Sequence, residues 1–303
     1  MVRRGPNSKH FQAALDEAAS GTGTIIYDRF GKPSLMFEIP RFNLNEVIDG
    51  APNLPHPAFI VNGKVKPAIY ISMWQNIVHG DAAYSLPDCE PTTGIDFDEA
   101  YELCLNKGYG WHLLTNAEWA ALALWELKHG RTAVQRDWWE WVDGLKLVNG
   151  RIYVHKDNNF MTGNKAGDVT DWQDTGIYFD AEDHVNPRDD FGCKPILNNK
   201  IINQMNPSDP NSDDYLAYAS CPFRELKAAE GIEIPALLQY LAIAPLPSYS
   251  GPEYIWVRNY GERLPLRGGY WDNGASAGVF ALNLISPRSN ATANIGFRAA
   301  YVG

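Results

Sequence analysis

The run Trp138-Trp139-Glu140-Trp141-Val142-Asp143-Gly144 constrains the fold more than any other stretch of the chain. It holds three of the ten tryptophans in four positions and reads as a strand-like aromatic segment. Indoles this dense bury their area against other elements, so the run belongs in a core. Around it the chain carries 26 Gly and 20 Pro. Such a chain makes many short elements and turns about an aromatic core.

Two helices are legible. In FDEAYELCLNKGYG, Phe97, Ala100, Tyr101, Cys104 and Leu105 share one face, and Gly108 supplies a left-handed stop. In TNAEWAALALWELKHG, Thr115 is an N-cap with Glu118 three residues on, the spacing of a capping box, and Gly130 ends the helix. Asn62-Gly63 and Asn149-Gly150, each between apolar runs, predict tight hairpins. TIIYDRFGKPSLMFEIPRF predicts two strands around Gly31-Lys32-Pro33, and LKAAEGIEIPALLQYLAIAPL is partly helical with a break at Gly231. Residues 156–215 read as a loop-rich insertion, residues 1–22 as an N-terminal arm, and residues 253–303 as short strands and turns.

At 303 residues the chain can bury a real core in one domain. A net charge of −10 argues against a nucleic-acid binder or an anionic-membrane binder. The longest apolar stretch, 236–246, is too short for a bilayer, and the start lacks the apolar region of a secretory signal. Cys89, Cys104, Cys193 and Cys221 have no CxxC spacing and read as reduced, mostly buried thiols. No GxSxG, HExxH, P-loop or GxGxxG is present, and the seven histidines show no ligand spacing. His112, beside Trp111, reads as a structural histidine. Asp189-Asp190 are adjacent loop acids of the kind that is usually solvated. The expectation is a protein that is not an enzyme.

Three ordered blocks carry a resemblance. WHLLTNAEWAALAL, WWEWVDGLKL and LPLRGGYWDNGASAGVFALNLISPRSNATANIGFRAA resemble the helix, the Trp-Glu-Trp-Val signature and the Arg-Gly-Gly…Gly-Phe-Arg core of formylglycine-generating-enzyme-like C-type lectin domains. The last block is closer to variable proteins of diversity-generating retroelements, in which a reverse transcriptase rewrites the 3′ end of a gene at template adenines. The resemblance covers about residues 60–145 and 250–303. It implies an α+β C-type lectin fold over 23–303, with a variable region at about 258–298. Gly268 and Gly269 would make a tight turn, Trp271 and Phe280 would anchor the core, and Arg267 and Arg298 would pair with carboxylates such as Glu140 or Asp143. The oxidases of this family use a copper-binding cysteine pair in the C-terminal core, and here no Cys follows Cys221.

Randomising the adenines of AAC or AAT codons reaches Tyr, Asp, Asn, Ser, Ile, Thr and Ala but never Trp, Lys, Glu, Gln or Met. Tyr270, Asp272, Asn273, Ile285, Ser286, Ala291, Thr292 and Ala293 pass this filter, and no Lys occurs from 259 onward. The resemblance makes these eight one exposed ligand-binding patch, with Tyr270 as its hot spot. Asn283, Asn290 and Asn294 are either unmutated template positions or fixed turn residues. The implied partner is a protein or glycan on a target cell, met by a protein displayed on a virion or cell surface after cytoplasmic synthesis. Attachment to a particle is the other partnership the resemblance allows. No cofactor is expected. A structural calcium, which the relatives often bind, would go to the oxygen-rich loops 168–174, 180–189 or 209–214. The alternatives are a non-variable structural tail or particle protein and, behind it, an oxidase relative.

Overall fold

The structure is a computed structural model that describes residues 15, 16, 19, 21, 23–132, 134, 137–183, 193–205 and 218–303. It is a mixed α+β protein made mostly of strands, with two main helices. A central six-stranded sheet runs in the order Ala219–Pro222, Tyr254–Val257, Gly278–Leu284, Leu266–Gly268, Trp139–Trp141, Ile295–Phe297. It is mixed: the Gly278–Leu284 strand is parallel to Tyr254–Val257 and antiparallel to Leu266–Gly268. Ile295–Phe297 is parallel to Trp139–Trp141. A five-stranded antiparallel sheet joins Gly23–Tyr27, Pro33–Pro40, Ala68–Ser72, Ala299–Tyr301 and Trp111–Leu113.

The aromatic run forms the strand Trp139–Trp141, next to the sheet's edge and buried at every position. Alternation divides the sheet's faces. Leu266, Trp139, Trp141 and Ala281 join a cluster with Phe97 and Trp111. Ile255, Val257, Phe280, Leu282 and Leu284 join the larger cluster around the Asn116–His129 helix. The Trp141 ring meets Phe97 edge-on at 5.8 Å and donates its indole N–H to the Ile95 carbonyl at 2.9 Å. Deleting a ring so placed costs roughly 3–5 kcal/mol.

Local sequence rules explain most element ends. Thr115 and Glu118 form the reciprocal capping box, and Gly130 ends the helix at φ +87°. Its first nine residues are buried on all sides, so it is a core helix rather than an amphipathic one. The other helix spans Phe97–Leu105, with Asp96 as N-cap. Of its predicted face Phe97, Ala100 and Cys104 are buried, while Tyr101 and Leu105 are only half-buried and Leu103 is buried instead. Both Asn-Gly hairpins form, with positive φ at each turn residue.

The 156–215 stretch differs from its loop-rich reading. It contributes Gln173–Ala181 and Pro195–Asn198 to a third, six-stranded sheet that includes Leu145–Val148 and Arg151–Val154. Ile177, Phe179 and Ala181 alternate inward, a period-two signal hidden among polar residues. Most of the 1–22 arm lies outside the described residues, but Leu15 is fully buried against Leu35, Met73 and Tyr84. Among the described residues, no helix is long and apolar enough to cross a membrane.

One buried histidine makes the fold acid-sensitive. His56 accepts the Ala58 N–H at Nδ1 and donates from Nε2 to the Tyr240 carbonyl at 2.7 Å, which fixes its neutral tautomer. Burial lowers its pKa from 6.5 to about 4, against the opposing pull of that carbonyl. Between these values the unfolded chain holds a proton that the folded one refuses, so stability falls as pH falls from 6.5 to 4. The expected loss is about 3 kcal/mol. Urea midpoints at pH 7 and pH 4.5 should shift less in His56→Gln than in the wild type. Equal shifts would assign the acid sensitivity to other groups.

Candidate functional site

Two consecutive glycines build the first part of the candidate surface. Gly268 and Gly269 take φ of +92° and +86°, which side chains rarely adopt. A Cβ on Gly269 would lie 2.6 Å from that of Ala277. The chain is thus pinched between Gly269 and Ala277, and Trp271–Ser276 stands off the sheet as a 3-10 turn. Asn273 Oδ1 accepts the Tyr270 N–H at 3.0 Å, and the Tyr270 hydroxyl donates to Asp272 at 3.2 Å. Tyr270 is half-buried against the aromatic cluster, and Asp272 is exposed.

Trp271 is 75 % exposed, so it is not the core anchor that its motif predicts. The glycine pair throws the chain clear of the packed face. The place under Gly268 is already filled by Trp119, whose ring would lie 3.3 Å from a Cβ there. Phe280 is buried as expected. Arg298 pairs with Glu140. Among the described residues Arg267 meets no carboxylate: its guanidinium donates to Asn116 Oδ1 and to the Leu241 and Ala242 carbonyls. Asn116, the first residue of the capped helix, stands where an acid was expected.

The second part is the 285–294 segment. Arg288 fixes it by donating to Asp98, Glu262 and Asn164 and by lying 5.1 Å over the Phe97 ring. Asn283 lies in the Gly278–Leu284 strand, while Asn290 and Asn294 lie in the loop that follows. Asn283 accepts the Ile285 N–H, Asn290 donates to Ser286 Oγ, and Asn294 accepts from the Thr292 hydroxyl at 2.8 Å. Ala291, Thr292 and Ala293 are exposed. Ser286 is only 3 % exposed, and its carbonyl accepts the Leu264 N–H, which ties it to the strand edge. Ile285 is half-buried.

Strand direction decides which of these positions share a surface. Gly268 pairs with Gly278 and Leu266 with Asn283, so Leu284 ends at the opposite end of the sheet from Tyr270. Ile295 pairs with Trp139, whose N–H reaches the Asn294 carbonyl, and a Cβ on Gly268 would lie 3.6 Å from the Trp138 carbonyl. Tyr270, Asp272, Asn273, Ala291, Thr292 and Ala293 therefore leave one end of the sheet on either side of Trp138. Ile285 and Ser286 leave the other end. Six of the eight positions thus adjoin strand ends at one end of the sheet and two at the other, and the Asn290 bond to Ser286 links the two groups.

A groove of about 580 Å³ opens beside the Gly269–Ala277 pinch. Glu126, Leu127, Arg131, Tyr249, Glu253 and Phe280 line it. The Tyr249 ring packs 4.4 Å from Phe280, and its hydroxyl donates to Glu253 Oε2. Burial and then that carboxylate hold the Tyr249 phenol well above its usual pKa. A Cβ on Gly278 would come 2.5 Å from Glu253 Oε1, so glycine leaves room for the carboxylate. Sequence reading missed this groove, because its walls come from three separated segments without a shared motif.

Cys104 and Cys221 are buried, and burial pushes the Cys221 thiol up to about 12. Among the described residues no group of three or more His, Cys, Asp or Glu could hold a metal ion. In the proposed calcium loops Asp174 pairs with Arg151, Asp168 caps Thr170, and Asp180 accepts from Asn198, Ile202 and Asn203. The 209–214 cluster, most of 180–189 and the Asp189-Asp190 pair lie outside the described residues. His112 bonds Glu118 at 2.9 Å and stacks on Phe160, a structural arrangement. No family model matches this chain, and no curated protein matches it either.

Proposed function

We propose that this chain is a ligand- or receptor-binding protein of C-type lectin type, displayed on a virion or cell surface. Its contact residues would be rewritten by adenine-directed retroelement mutagenesis. One observation carries this reading. The six codon-compatible residues at one end of the sheet sit on segments whose turns are held by other residues. Gly269 closes the first segment, and Arg288, Asn290 and Asn294 hold the second. A surface that must vary without unfolding its carrier needs that division, since substitutions on exposed turns usually change stability by no more than about 0.5 kcal/mol.

The partner is a protein or glycan on a target cell, and the role is binding rather than catalysis. Tyr270 offers rigid amphipathic area, and Asp272, Asn273 and Thr292 add hydrogen bonds. Ala291 and Ala293 shape a recess between them. Trp271, which an adenine-mutated AAC or AAT codon never yields, is a constant contact within the variable ones. Deep sequencing of the gene across the source population tests this. Substitutions should concentrate at 270, 272, 273 and 291–293, and spare 267, 271, 286, 288 and 298. An even spread over the surface would leave a non-variable binding or particle protein.

A further inference from the structure

We infer that Lys107 and Asp28 are the partners of an intramolecular isopeptide cross-link, an amide between Lys107 Nζ and Asp28 Cγ that forms after folding with loss of one water. The inference is independent of the proposed binding surface. Asp28 follows the Gly23–Tyr27 strand in the turn of the first hairpin, and Lys107 follows the Phe97–Leu105 helix. The Arg29 N–H donates to the Lys107 carbonyl at 2.8 Å, which holds the two segments together. Both side chains are fully buried, with Nζ 3.9 Å from Asp28 Oδ2. That gap is too long for a hydrogen bond, and Oδ2 accepts no well-formed hydrogen bond. Two opposite charges buried without a direct bond are costly, and condensation to a neutral amide removes both.

The neighbours suit this step. Asp28 Oδ1 accepts the Phe30 and Lys32 N–H groups at 2.8 and 2.9 Å. It is the oxygen that the amide keeps, and those two donors stabilise the charge it gathers when Cγ is attacked. Oδ2, the oxygen that leaves, is the unpaired one. Lys107 Nζ donates to Ser34 Oγ and the Ala83 carbonyl and lies 4.2 and 4.1 Å from the Tyr84 and Trp111 ring centroids. These contacts hold the amine beside its target, so the reaction needs no encounter. Burial pushes the Lys107 pKa down to about 8 against the pull of Asp28, so the neutral, nucleophilic amine is accessible near neutral pH. The ammonium passes one proton to Asp28 Oδ2, and Nζ forms its bond to Cγ. A second proton follows to the same oxygen, and the Cγ–Oδ2 bond breaks to release water. The Tyr84 hydroxyl stands beside the carboxylate, where it can relay these protons. The step consumes no oxidant or other reactant.

Intact mass spectrometry of the full-length protein, folded and then denatured for the measurement, tests the inference. The chain should weigh one water less than its sequence. A tryptic digest should contain one branched peptide that joins the Asp28 and Lys107 segments, with the chain uncut after Lys107. Asp28→Ala and Lys107→Met should each show the full mass of their own sequences. A wild-type mass equal to that of its sequence would overturn the inference, whether or not the variants fold. So would a water loss that persists in either variant, or one that fragmentation traces to a succinimide at Asp49-Gly50 or Asp143-Gly144.

Discussion

Replacing Arg298 by alanine is expected to destabilise the protein by about 3–5 kcal/mol, enough to unfold many natural domains. Arg298 and Glu140 are both fully buried and face each other fork to fork, with Nη2 at 2.6 Å from Oε1 and a second bond from Nε to Oε2. Arg298 also donates to the Ser72 carbonyl at 2.7 Å. It stands where the chain leaves the central sheet at Phe297 and enters the five-stranded sheet at Ala299. One guanidinium therefore ties the two sheets together. Removing it strands the Glu140 charge in the core, and the cost is that uncompensated charge more than the pair's own worth. Glu140→Ala should cost a similar amount. The double variant Arg298→Met with Glu140→Leu should recover most of the loss in urea denaturation. A single-variant loss below about 1 kcal/mol would mean that the pair is not the clamp described here.

Alanine at Tyr270 or at Trp271 is expected to cut ligand affinity by roughly 30-fold or more while leaving the fold intact. Hot-spot aromatics are worth about 2 kcal/mol or more each when truncated. Trp271 is 75 % exposed and contributes little to the core, so its stability cost should stay near about 0.5 kcal/mol. Adhesion to target cells and a melting curve read the two quantities separately. Met161→Ala serves as the internal contrast, since this exposed residue lies outside both segments and should leave binding unchanged. A collapse in melting temperature on replacing Trp271, or unchanged adhesion, would contradict its assignment as a constant contact.

The sequence was most legible where one local rule decides one conformation. Thr115 with Glu118 starts a helix, and each Asn-Gly pair closes a hairpin, because those residues satisfy orphan backbone groups or accept positive φ. The buried Arg298–Glu140 pair was also readable, since a charge in an apolar neighbourhood needs a partner. Burial was harder to read. Trp271 looks like a core residue until the two preceding glycines are known to turn the chain away and Trp119 to fill the space. Ser286 looks like a loop residue until its carbonyl is seen to bond Leu264. Strand direction, which separates Ile285 and Ser286 from the other six, depends on pairing between distant segments, and no local pattern records it. The same holds for Arg288, whose partners Asp98, Asn164 and Glu262 are scattered along the chain.

The most direct test of the central claim is the sequence of the DNA flanking this gene. The account predicts a near-copy of the codons for residues 258–298 beside a reverse-transcriptase gene. The copy should differ from the gene only where the copy carries adenine. The differing codons should include 270, 272, 273 and 291–293, and exclude those for Arg267, Trp271, Arg288 and Arg298. A flank with no such copy, or a copy whose differences fall on the buried residues, would contradict a diversified binding surface.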